Sequence, residues 1–132
     1  MRIELPTEIF KKDLELKQDG FDWRKAYLMV SKSVEDRTGT VIRDGNTLFW
    51  LIYGLPHRGT LSVINADSNN NLMKNFQHCL LGLQVGKYEL INLYTNNVNL
   101  FHAAEKFGYK VEFKKNKKSK NAYSGLIYLG EM

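Results

Sequence analysis

The chain has 132 residues, of which 43% are hydrophobic and 25% charged, values that fit one folded domain over residues 1–132 rather than a disordered chain. A single cysteine, Cys79, excludes an internal disulfide, and with three histidines it leaves no ligand set for a structural metal such as zinc. No apolar run approaches the ~18 residues of a membrane span, and no secretory signal is evident at the start. We therefore expect a cytoplasmic protein without membrane contact.

The net charge of +5 is concentrated near the C-terminal end, where five lysines lie within seven residues. They are Lys114, Lys115, Lys117, Lys118 and Lys120. Clustered lysines neutralise phosphates, so this segment is a candidate site for nucleic acid or for another acidic partner. It contains no arginine and no aromatic residue for base stacking, which favours a solvated hairpin loop and makes nucleic acid the less favoured partner.

Periodicity predicts a strand and two helices in the first 35 residues. Arg2 to Leu5 is predicted as a strand, and Pro6-Thr7 as the start of a helix that ends near Gly20. Asp22 is the predicted N-cap of a second helix. The apolar residues of this second helix recur at helical spacing, at Trp23, Ala26, Tyr27, Val30 and Val34.

From residue 40 the pattern changes to short strands separated by turns. Asp44-Gly45-Asn46 lies between two β-rich runs, and Asp-Gly is among the stronger hairpin signals. Thr40 to Asn65 is therefore predicted as a three-stranded antiparallel meander. A third helix is predicted next, with one apolar face made by Leu72, Phe76, Cys79, Leu80 and Leu83.

The segment from Lys87 to Phe113 predicts a strand, a capped helix and another strand. Asn97 is the predicted N-cap of this fourth helix, and Gly108 is predicted to end it in a left-handed conformation. Tyr109 to Phe113 then resumes strand-like alternation. The last strand, Tyr123 to Gly130, is predicted to pair with it across the lysine-rich connection.

Asn97 and Gly108-Tyr109 resemble the last conserved segment of the GCN5-related N-acetyltransferases (GNAT), N-x-x-A-x-x-x-Y-x-x-x-G-F. The predicted element order, strand, helix, helix, three strands, helix, strand, helix and two strands, is the complete order of that fold. The resemblance implies an α/β (α+β) domain with a mixed, mostly antiparallel sheet of about seven strands flanked by four helices. Leu100 and Ala104 depart from the motif, and Ala104 stands where the family commonly has the tyrosine that protonates the CoA thiolate.

The resemblance also implies that acetyl-CoA binds with its pyrophosphate at the start of the third helix, on a loop similar to R/Q-x-x-G-x-G/A. This chain has no glycine and no cation in the corresponding segment, although asparagine tolerates the left-handed conformations of a phosphate nest. Asp67 is also predicted to cap the third helix. The candidate cofactor-binding residues are Asn65, Ala66, Asp67, Ser68, Asn69, Asn70, Asn71, Leu72 and Asn97.

Acyl transfer to an amine needs one group that removes a proton from the amine and one that protonates the thiolate. His57, in the turn before the third strand of the meander, is the candidate base because histidine titrates near neutrality. Tyr94 is the candidate proton donor in place of the missing tyrosine. Cys79 shares the apolar face of its helix, so we expect an inert thiol.

The pattern resembles the small acetyltransferase-like proteins of tailed phages, including internal virion proteins, in which the late motif survives and the glycine loop is eroded. The first hypothesis is a non-catalytic or weakly catalytic protein of GNAT fold that binds another phage or host protein, in the virion or the host cytoplasm. The second is an active N-acetyltransferase that transfers an acetyl group from acetyl-CoA to an amine. The third is a nucleic-acid-binding module built on Lys114 to Lys120.

Overall fold

The computed structural model describes residues 5–13, 16, 20, 22–116 and 122–130. Apart from Leu5, the predicted first strand lies outside the described residues, as do Lys117, Lys118 and Lys120. Numbered in chain order, the described helices are α1 (Thr7–Lys12), α2 (Trp23–Glu35), α3 (Asn69–Val85) and α4 (Asn99–Lys106). The described strands are β1 (Gly39–Asp44), β2 (Thr47–Tyr53), β3 (Arg58–Asn65), β4 (Leu90–Thr95), β5 (Lys110–Lys115) and β6 (Tyr123–Tyr128).

The described strands form one sheet in the order β1-β2-β3-β4-β6-β5. Strands β3 and β4 are parallel, and the other neighbouring pairs are antiparallel. The mixed, mostly antiparallel sheet predicted from the sequence is thus confirmed, with six described strands rather than seven. Strand β6 pairs with β5 as predicted, and it also pairs with β4, so the last strand fills the middle of the C-terminal half of the sheet.

Local turn and cap signals account for where these elements begin and end. Gly45 takes a positive φ of 58° between β1 and β2, as the Asp-Gly signal predicts. The Asp22 carboxylate accepts the Arg24 N–H at 3.0 Å and caps α2. The Asn97 side chain accepts the Asn99 N–H at 3.1 Å, and Gly108 takes a φ of 98° just after α4. The predicted turn at Gly45, the Asp22 cap and the end of α4 at Gly108 are confirmed. The N-cap position of α4 is Val98, so Asn97 lies one residue before the predicted cap position, although its side chain bonds to the first residue of the helix.

Each face of the sheet carries its own hydrophobic core. Helices α3 and α4 pack on one face, in a cluster that includes Phe49, Leu61, Phe76, Leu93 and Phe101. Helices α1 and α2 pack on the other face, in a cluster that includes Ile9, Phe10, Val30, Leu48 and Ile64. Because side chains alternate along a strand, β3 supplies residues to both cores. Among the described residues, this second cluster contains no residue of β4, β5 or β6. Helices α1 and α2 therefore cover this face of the sheet only over its N-terminal strands, β1 to β3.

Close packing around Gly125 of β6 leads to the first prediction. A Cβ at this position would lie 2.5 Å from the Glu112 carbonyl oxygen and 2.8 Å from the Phe101 ring. The Glu112 carbonyl belongs to the backbone of β5, and the Phe101 ring is packed in the core, so neither can move aside easily. We therefore expect Gly125→Ala to lower the free energy of unfolding by more than about 2 kcal/mol. Gly82→Ala is the matched control, because a Cβ there meets open space in the exposed part of α3.

The control variant should gain about 0.5–1 kcal/mol, since alanine has the higher helix propensity. Urea unfolding followed by circular dichroism measures both variants. Equal stabilities for the two alanine variants would contradict the described position of β6.

Candidate functional site

The candidate site is the place where β3 and β4 separate. Their parallel pairing runs from Arg58 and Leu90 to Leu61 and Leu93. Both strands continue past this point, β3 to Asn65 and β4 to Thr95. Because the pairing stops while the strands go on, the two strands diverge and leave a cleft in the sheet.

Backbone polar groups of β3 face this cleft. The Ala66 N–H donates to the Asn46 carbonyl at 2.9 Å. Because hydrogen-bonded and non-hydrogen-bonded residue pairs alternate along an antiparallel ladder, this bond shows which residues of β3 bond to β2 and which face away from it. By that alternation, the N–H and C=O groups of Val63 and Asn65 point toward β4. The Asn65 N–H accordingly donates to the Asp13 carboxylate, at 2.7 Å, rather than to β2.

A cavity of about 200 Å³ lies beside the cleft, on the face covered by α1 and α2. Its lining residues are Asp13, Leu16, Ala26, Met29, Val30, Trp50, Ser62, Val63, Ile64 and Tyr94. Apolar side chains with a few convergent polar groups are typical of ligand cavities. We refer to this space below as the cleft cavity.

Tyr94, predicted as a proton donor, lies in the cleft. Its neighbours Leu93 and Thr95 are buried on the α3 and α4 face, so by strand alternation Tyr94 points to the opposite face. It is 45% exposed and lines the cleft cavity.

His57, predicted as the base, lies away from the cleft. It occupies the turn before β3, where its Nδ1 is 3.0 Å from the Lys87 carbonyl and its own carbonyl accepts the Glu89 N–H. This is the paired end of the two strands. At ~3.3 Å per residue, about 16 Å of strand separates His57 from Ser62, so the fold does not bring His57 and Tyr94 together.

Asp13 is a site residue that sequence reasoning missed. Its side chain is 1% exposed, and its carboxylate accepts the Asn65 N–H and the Leu16 N–H, the latter at 3.0 Å. In the sequence it follows two lysines and looks like any surface acid. The hydrogen bond that places Asp13 in the cleft cavity joins residues 52 positions apart, so no local sequence pattern could have predicted this position.

The predicted role of Asp67 as the cap of α3 is wrong. Ser68 is the cap, and its hydroxyl accepts the Asn71 N–H at 3.3 Å. The Asp67 carboxylate instead accepts the Asn46 N–H at 2.8 Å and the Asn75 amide at 3.1 Å. A partner from the β1–β2 turn has therefore displaced the local capping contact, and the charge of Asp67 is directed toward that turn.

Asn65 holds the segment between β3 and α3 in one conformation. Its side-chain oxygen accepts the Thr47 hydroxyl at 2.8 Å and the Asp67 N–H at 3.0 Å. Its side-chain nitrogen donates to the Asp67 carbonyl, also at 3.0 Å. The side chains of Asn65 and Asp67, both predicted to bind cofactor, are thus engaged in contacts within the protein.

The N-terminus of α3 keeps two backbone donors. Within the described part of the chain, the N–H groups of Asn69 and Asn70 have no hydrogen-bond acceptor, whereas those of Asn71 and Leu72 bond to Ser68. The side chains of Ser68 to Asn71 are exposed, Ala66 is half-buried, and Leu72 belongs to the core. Because α3 follows β3 and α4 follows β4, the N-termini of both helices, including Asn97, lie at the open end of the cleft.

The motif tyrosine position and the cysteine are both buried in the core. Ala104, at the place of the motif tyrosine, is fully buried between α4 and the sheet. Burial, with a smaller contribution from the Asp44 charge, raises the pKa of the Cys79 thiol to about 12. The thiol is therefore neutral at physiological pH, as an inert residue should be.

Further features of the described chain concern charge, metals and membranes. Lys114 and Lys115 are exposed at the end of β5. No group of three His, Cys, Asp or Glu side chains in the described ranges could hold a metal ion. None of the helices among these residues has both the length and the apolar character that crossing a bilayer requires.

No protein-family model matches the chain, and no curated protein sequence matches it. Several solved structures, however, are similar to the structure of this chain. A chimera of the Vibrio cholerae spermidine N-acetyltransferase SpeG and hSSAT aligns over 96% of this chain and 93% of its own, with a TM-score of 0.64 and 15% identity. A Bacillus subtilis acetyltransferase in complex with CoA aligns over 98% and 95%, with a TM-score of 0.60 and 10% identity.

The spermidine N-acetyltransferase from Vibrio cholerae in complex with CoA and spermine aligns over 81% of this chain and 74% of its own, with a TM-score of 0.56 and 14% identity. At such identities the likeness concerns the fold. The chain has the GNAT fold that its sequence predicts, and its structural neighbours are acetyltransferases of that superfamily.

The polar contacts of Asn75 lead to the second prediction. Its buried amide donates to the Asp44 carbonyl at 3.0 Å and to the Thr47 hydroxyl and Asp67 carboxylate at 3.1 Å each. Asn75→Ala leaves these acceptors without that donor, and we expect it to lower the free energy of unfolding by about 1–3 kcal/mol. Gln77→Ala, at an exposed position of the same helix, should change it by less than about 0.5 kcal/mol. Urea unfolding decides the matter, and an Asn75 variant as stable as its control would contradict a structural role for this cluster.

Proposed function

We propose that the chain binds acyl-CoA in the cleft between β3 and β4 and transfers the acyl group slowly or not at all. The observation that carries the proposal is the end of strand pairing at Leu61 and Leu93 while both strands continue. The pantetheine arm of CoA is an extended chain with two amide groups. Such a chain suits the backbone groups of Val63, which β3 directs into the cleft, as an added strand suits a sheet edge, whereas the Asn65 N–H is already bonded to Asp13.

The N-terminus of α3 supports a place for the pyrophosphate. Free N–H groups at the start of a long helix, together with the helix dipole, attract phosphate. Asn69 and Asn70 offer such groups at the open end of the cleft. The Asp67 carboxylate is hydrogen-bonded to Asn46 and Asn75, so its charge is turned away from this N-terminus. The loop lacks a cation, and we therefore expect weaker binding than a loop with arginine would give.

Slow transfer is supported by the missing proton donor. The motif position of the family tyrosine is Ala104, which faces the core and has no polar group. Among the described residues that line the cleft cavity, Tyr94 carries the only phenol. Its position on β4 differs from the helical position of the motif tyrosine, so we expect Tyr94 to replace it poorly.

On this proposal the protein is an accessory binding protein of the phage type, with another phage or host protein as its partner. The loss of three features of the family pattern supports this role: the loop glycines, the loop cation and the motif tyrosine. A protein that has the cofactor cleft but lacks these groups is better suited to binding a partner than to catalysing acyl transfer.

A second candidate function is an active N-acetyltransferase. The cleft cavity favours it, because an amine held there would lie beside Tyr94 and beside the proposed path of the acyl-CoA. A structural neighbour, the spermidine N-acetyltransferase from Vibrio cholerae, is solved in complex with both CoA and spermine, an amine. A measurement of the rate of acyl transfer distinguishes this active enzyme from the slow or non-catalytic protein of the first proposal.

The third prediction tests the phosphate position through the cap residue of α3. Ser68→Asp keeps a good N-cap but adds a negative charge beside Asn69 and Asn70. We expect acetyl-CoA to bind this variant at least tenfold more weakly in isothermal titration calorimetry, a change of about 1.4 kcal/mol. Ser68→Asn is the matched control, since it keeps the cap without the charge, and its affinity should stay near that of the unaltered chain. Equal affinities for the Asp and Asn variants would overturn the phosphate position, and no heat of binding at all would overturn acyl-CoA binding.

The fourth prediction concerns turnover and the role of Tyr94. With acetyl-CoA and a panel of amines that includes spermidine, we expect thiol release below about 0.1 s⁻¹, against the ~10 s⁻¹ typical of enzymes. Tyr94→Phe should lower the residual rate at least fivefold without changing acetyl-CoA affinity. Tyr53→Phe is the control, because Tyr53 is 46% exposed, like Tyr94 at 45%, but lies on β2 away from the cleft. A rate above about 1 s⁻¹ would replace the first function with the second.

A further inference from the structure

Strand β5 forms one free edge of the sheet. It is the last strand in the order β1-β2-β3-β4-β6-β5, and its pairing with β6 runs without a bulge from Lys110 and Tyr128 to Lys115 and Tyr123. Proteins commonly protect a sheet edge with bulges, prolines or lysines, and of these devices the strand, KVEFKK, has only the lysines. Its outer side is therefore a regular template for one more strand.

The backbone groups of alternate β5 residues point away from the sheet. The Asn116 N–H donates to the Ala122 carbonyl at 2.7 Å, and the same register continues along the strand. Because bonded and non-bonded pairs alternate in an antiparallel ladder, the even-numbered residues of β5 bond to β6. The odd-numbered residues, Val111, Phe113 and Lys115, direct their N–H and C=O groups outward. In the part of the chain that the structure describes, these groups have no hydrogen-bond partner.

The side chains of β5 differ between the two faces of the sheet. On the face of α3 and α4, Val111 and Phe113 are half-buried and pack against the hydrophobic core. On the opposite face, which α1 and α2 leave uncovered here, Lys110, Glu112 and Lys114 are exposed. A strand added to this edge would therefore place apolar side chains beside Val111 and Phe113, and charged ones on the other face.

The charges of the edge favour an acidic partner. Glu112 already has partners, since its carboxylate lies 3.8 Å from the Lys110 ammonium and accepts the Tyr128 hydroxyl at 3.3 Å. Lys114 and Lys115 are exposed, and neither forms an ion pair with another described residue. Two positive charges thus remain uncompensated at the end of the strand. Side chains of opposite charge that lie directly across two strands stabilise the pairing.

Two other occupants fit this edge less well. A second copy of the chain would bring together two strands that each carry three lysines and one glutamate, so their like net charges would repel. Nucleic acid would neutralise the lysines, but it has no row of alternating donors and acceptors for the outward backbone groups. The one aromatic ring of the strand, that of Phe113, is already stacked on Phe101 with the ring centroids 4.7 Å apart, so it is not free to stack on a base.

We propose that the β5 edge binds an extended acidic segment of a partner protein, in which acidic residues alternate with apolar ones. The segment adds to the sheet beside β5 and bonds to the backbone of Val111, Phe113 and Lys115. Its carboxylates lie beside Lys114, and its apolar side chains lie on the face of α3 and α4. The proposal rests on the proposed role as a binding protein, because it names the surface and the chemistry of the partner. It makes no use of the cleft between β3 and β4.

The probe is the heptapeptide EVEVEVE with acetylated and amidated ends, titrated into the full chain without CoA. Backbone amide signals in NMR locate its binding site. We expect the signals of Val111, Phe113 and Lys115 to move the most, while that of Val41, on the opposite edge strand β1, stays in place. We expect a dissociation constant of about 0.1–1 mM for so small an interface. It should rise at least threefold when the salt is raised from about 50 to about 300 mM.

Two control ligands separate the backbone contribution from charge. The peptide EVEPEVE has the same length and charge, but its central proline removes a backbone N–H and disrupts strand pairing. Oligothymidylate of seven nucleotides presents phosphates without a peptide backbone. Both ligands should bind at least fivefold more weakly than EVEVEVE.

Matched proline variants test the edge itself. Val41 occupies an outward position on β1 by the same alternation, because the Tyr53 N–H donates to the Thr38 carbonyl. Val41 and Val111 are both half-buried. Proline at either position removes an N–H that bonds to no neighbouring strand, so the ladder is kept. Val111→Pro should raise the dissociation constant of EVEVEVE at least tenfold, and Val41→Pro should leave it unchanged.

A charge-reversal pair supplies a second arm that does not touch the backbone. Lys114 and Lys25 are both exposed, and replacing either by glutamate changes the net charge by the same amount, but Lys25 lies on α2. Lys114→Glu should raise the dissociation constant at least fivefold, and Lys25→Glu should raise it less than twofold. Near-ultraviolet circular dichroism checks that the variants are folded, and the lysine pair decides the matter if Val111→Pro is not.

Binding of EVEPEVE or oligothymidylate as tight as that of EVEVEVE would overturn the proposal, as would an unchanged dissociation constant in folded Val111→Pro or in Lys114→Glu. Sedimentation equilibrium of the chain alone covers the remaining occupant. A dimer that Val111→Pro dissociates would assign the edge to a second copy and overturn the proposal. Because the peptide titrations contain no CoA, their failure leaves acyl-CoA binding intact, and failure of the acetyl-CoA titrations leaves a positive peptide result intact.

Discussion

The structure depends on a parallel strand pairing that stops early. Four residue pairs, from Arg58 and Leu90 to Leu61 and Leu93, join the two halves of the sheet. Before that point the sheet is continuous, and beyond it β3 and β4 need other partners for their backbone groups. Asp13 supplies one of these partners by accepting the Asn65 N–H. Helix α1 is thereby tied to the far end of β3, and the cleft has a lining on the side of α1 and α2.

A second set of contacts holds the segment between β3 and α3. Asn65, Asp67 and Asn75 bind one another and the β1–β2 turn, so that segment is stabilised by side chains rather than shaped by glycines. This arrangement lacks the flexibility of a glycine loop but leaves the start of α3 open. The cleft and the N-terminus of α3 are therefore formed by contacts that do not involve the motif tyrosine position, where a core alanine stands.

Much of the fold could be predicted because its signals are local. Asp44-Gly45 specifies a hairpin, and the spacing of Leu72, Phe76 and Leu83 specifies the buried face of α3, as the structure has it. The candidate site was less predictable because its contacts are distant in sequence. Asp67 and Ser68 are both good caps, and the choice between them depends on Asn46, 21 positions from Asp67, and on Asn75, which both bond to the Asp67 carboxylate. The placement of His57 at the paired end likewise follows from strand register, which no local pattern fixes.

Acyl-CoA binding in the cleft is best tested by an NMR titration of the full chain with acetyl-CoA, followed at the backbone amides. An acyl-CoA in the cleft would change the environment of the Val63 amide, which faces the gap, and of the Asn69 and Asn70 amides at the start of α3. We expect these three signals to move the most and to saturate together. Unmoved signals at all three, or changes confined to the opposite end of the molecule at Gln84 and Tyr109, would show that the cleft does not hold acyl-CoA.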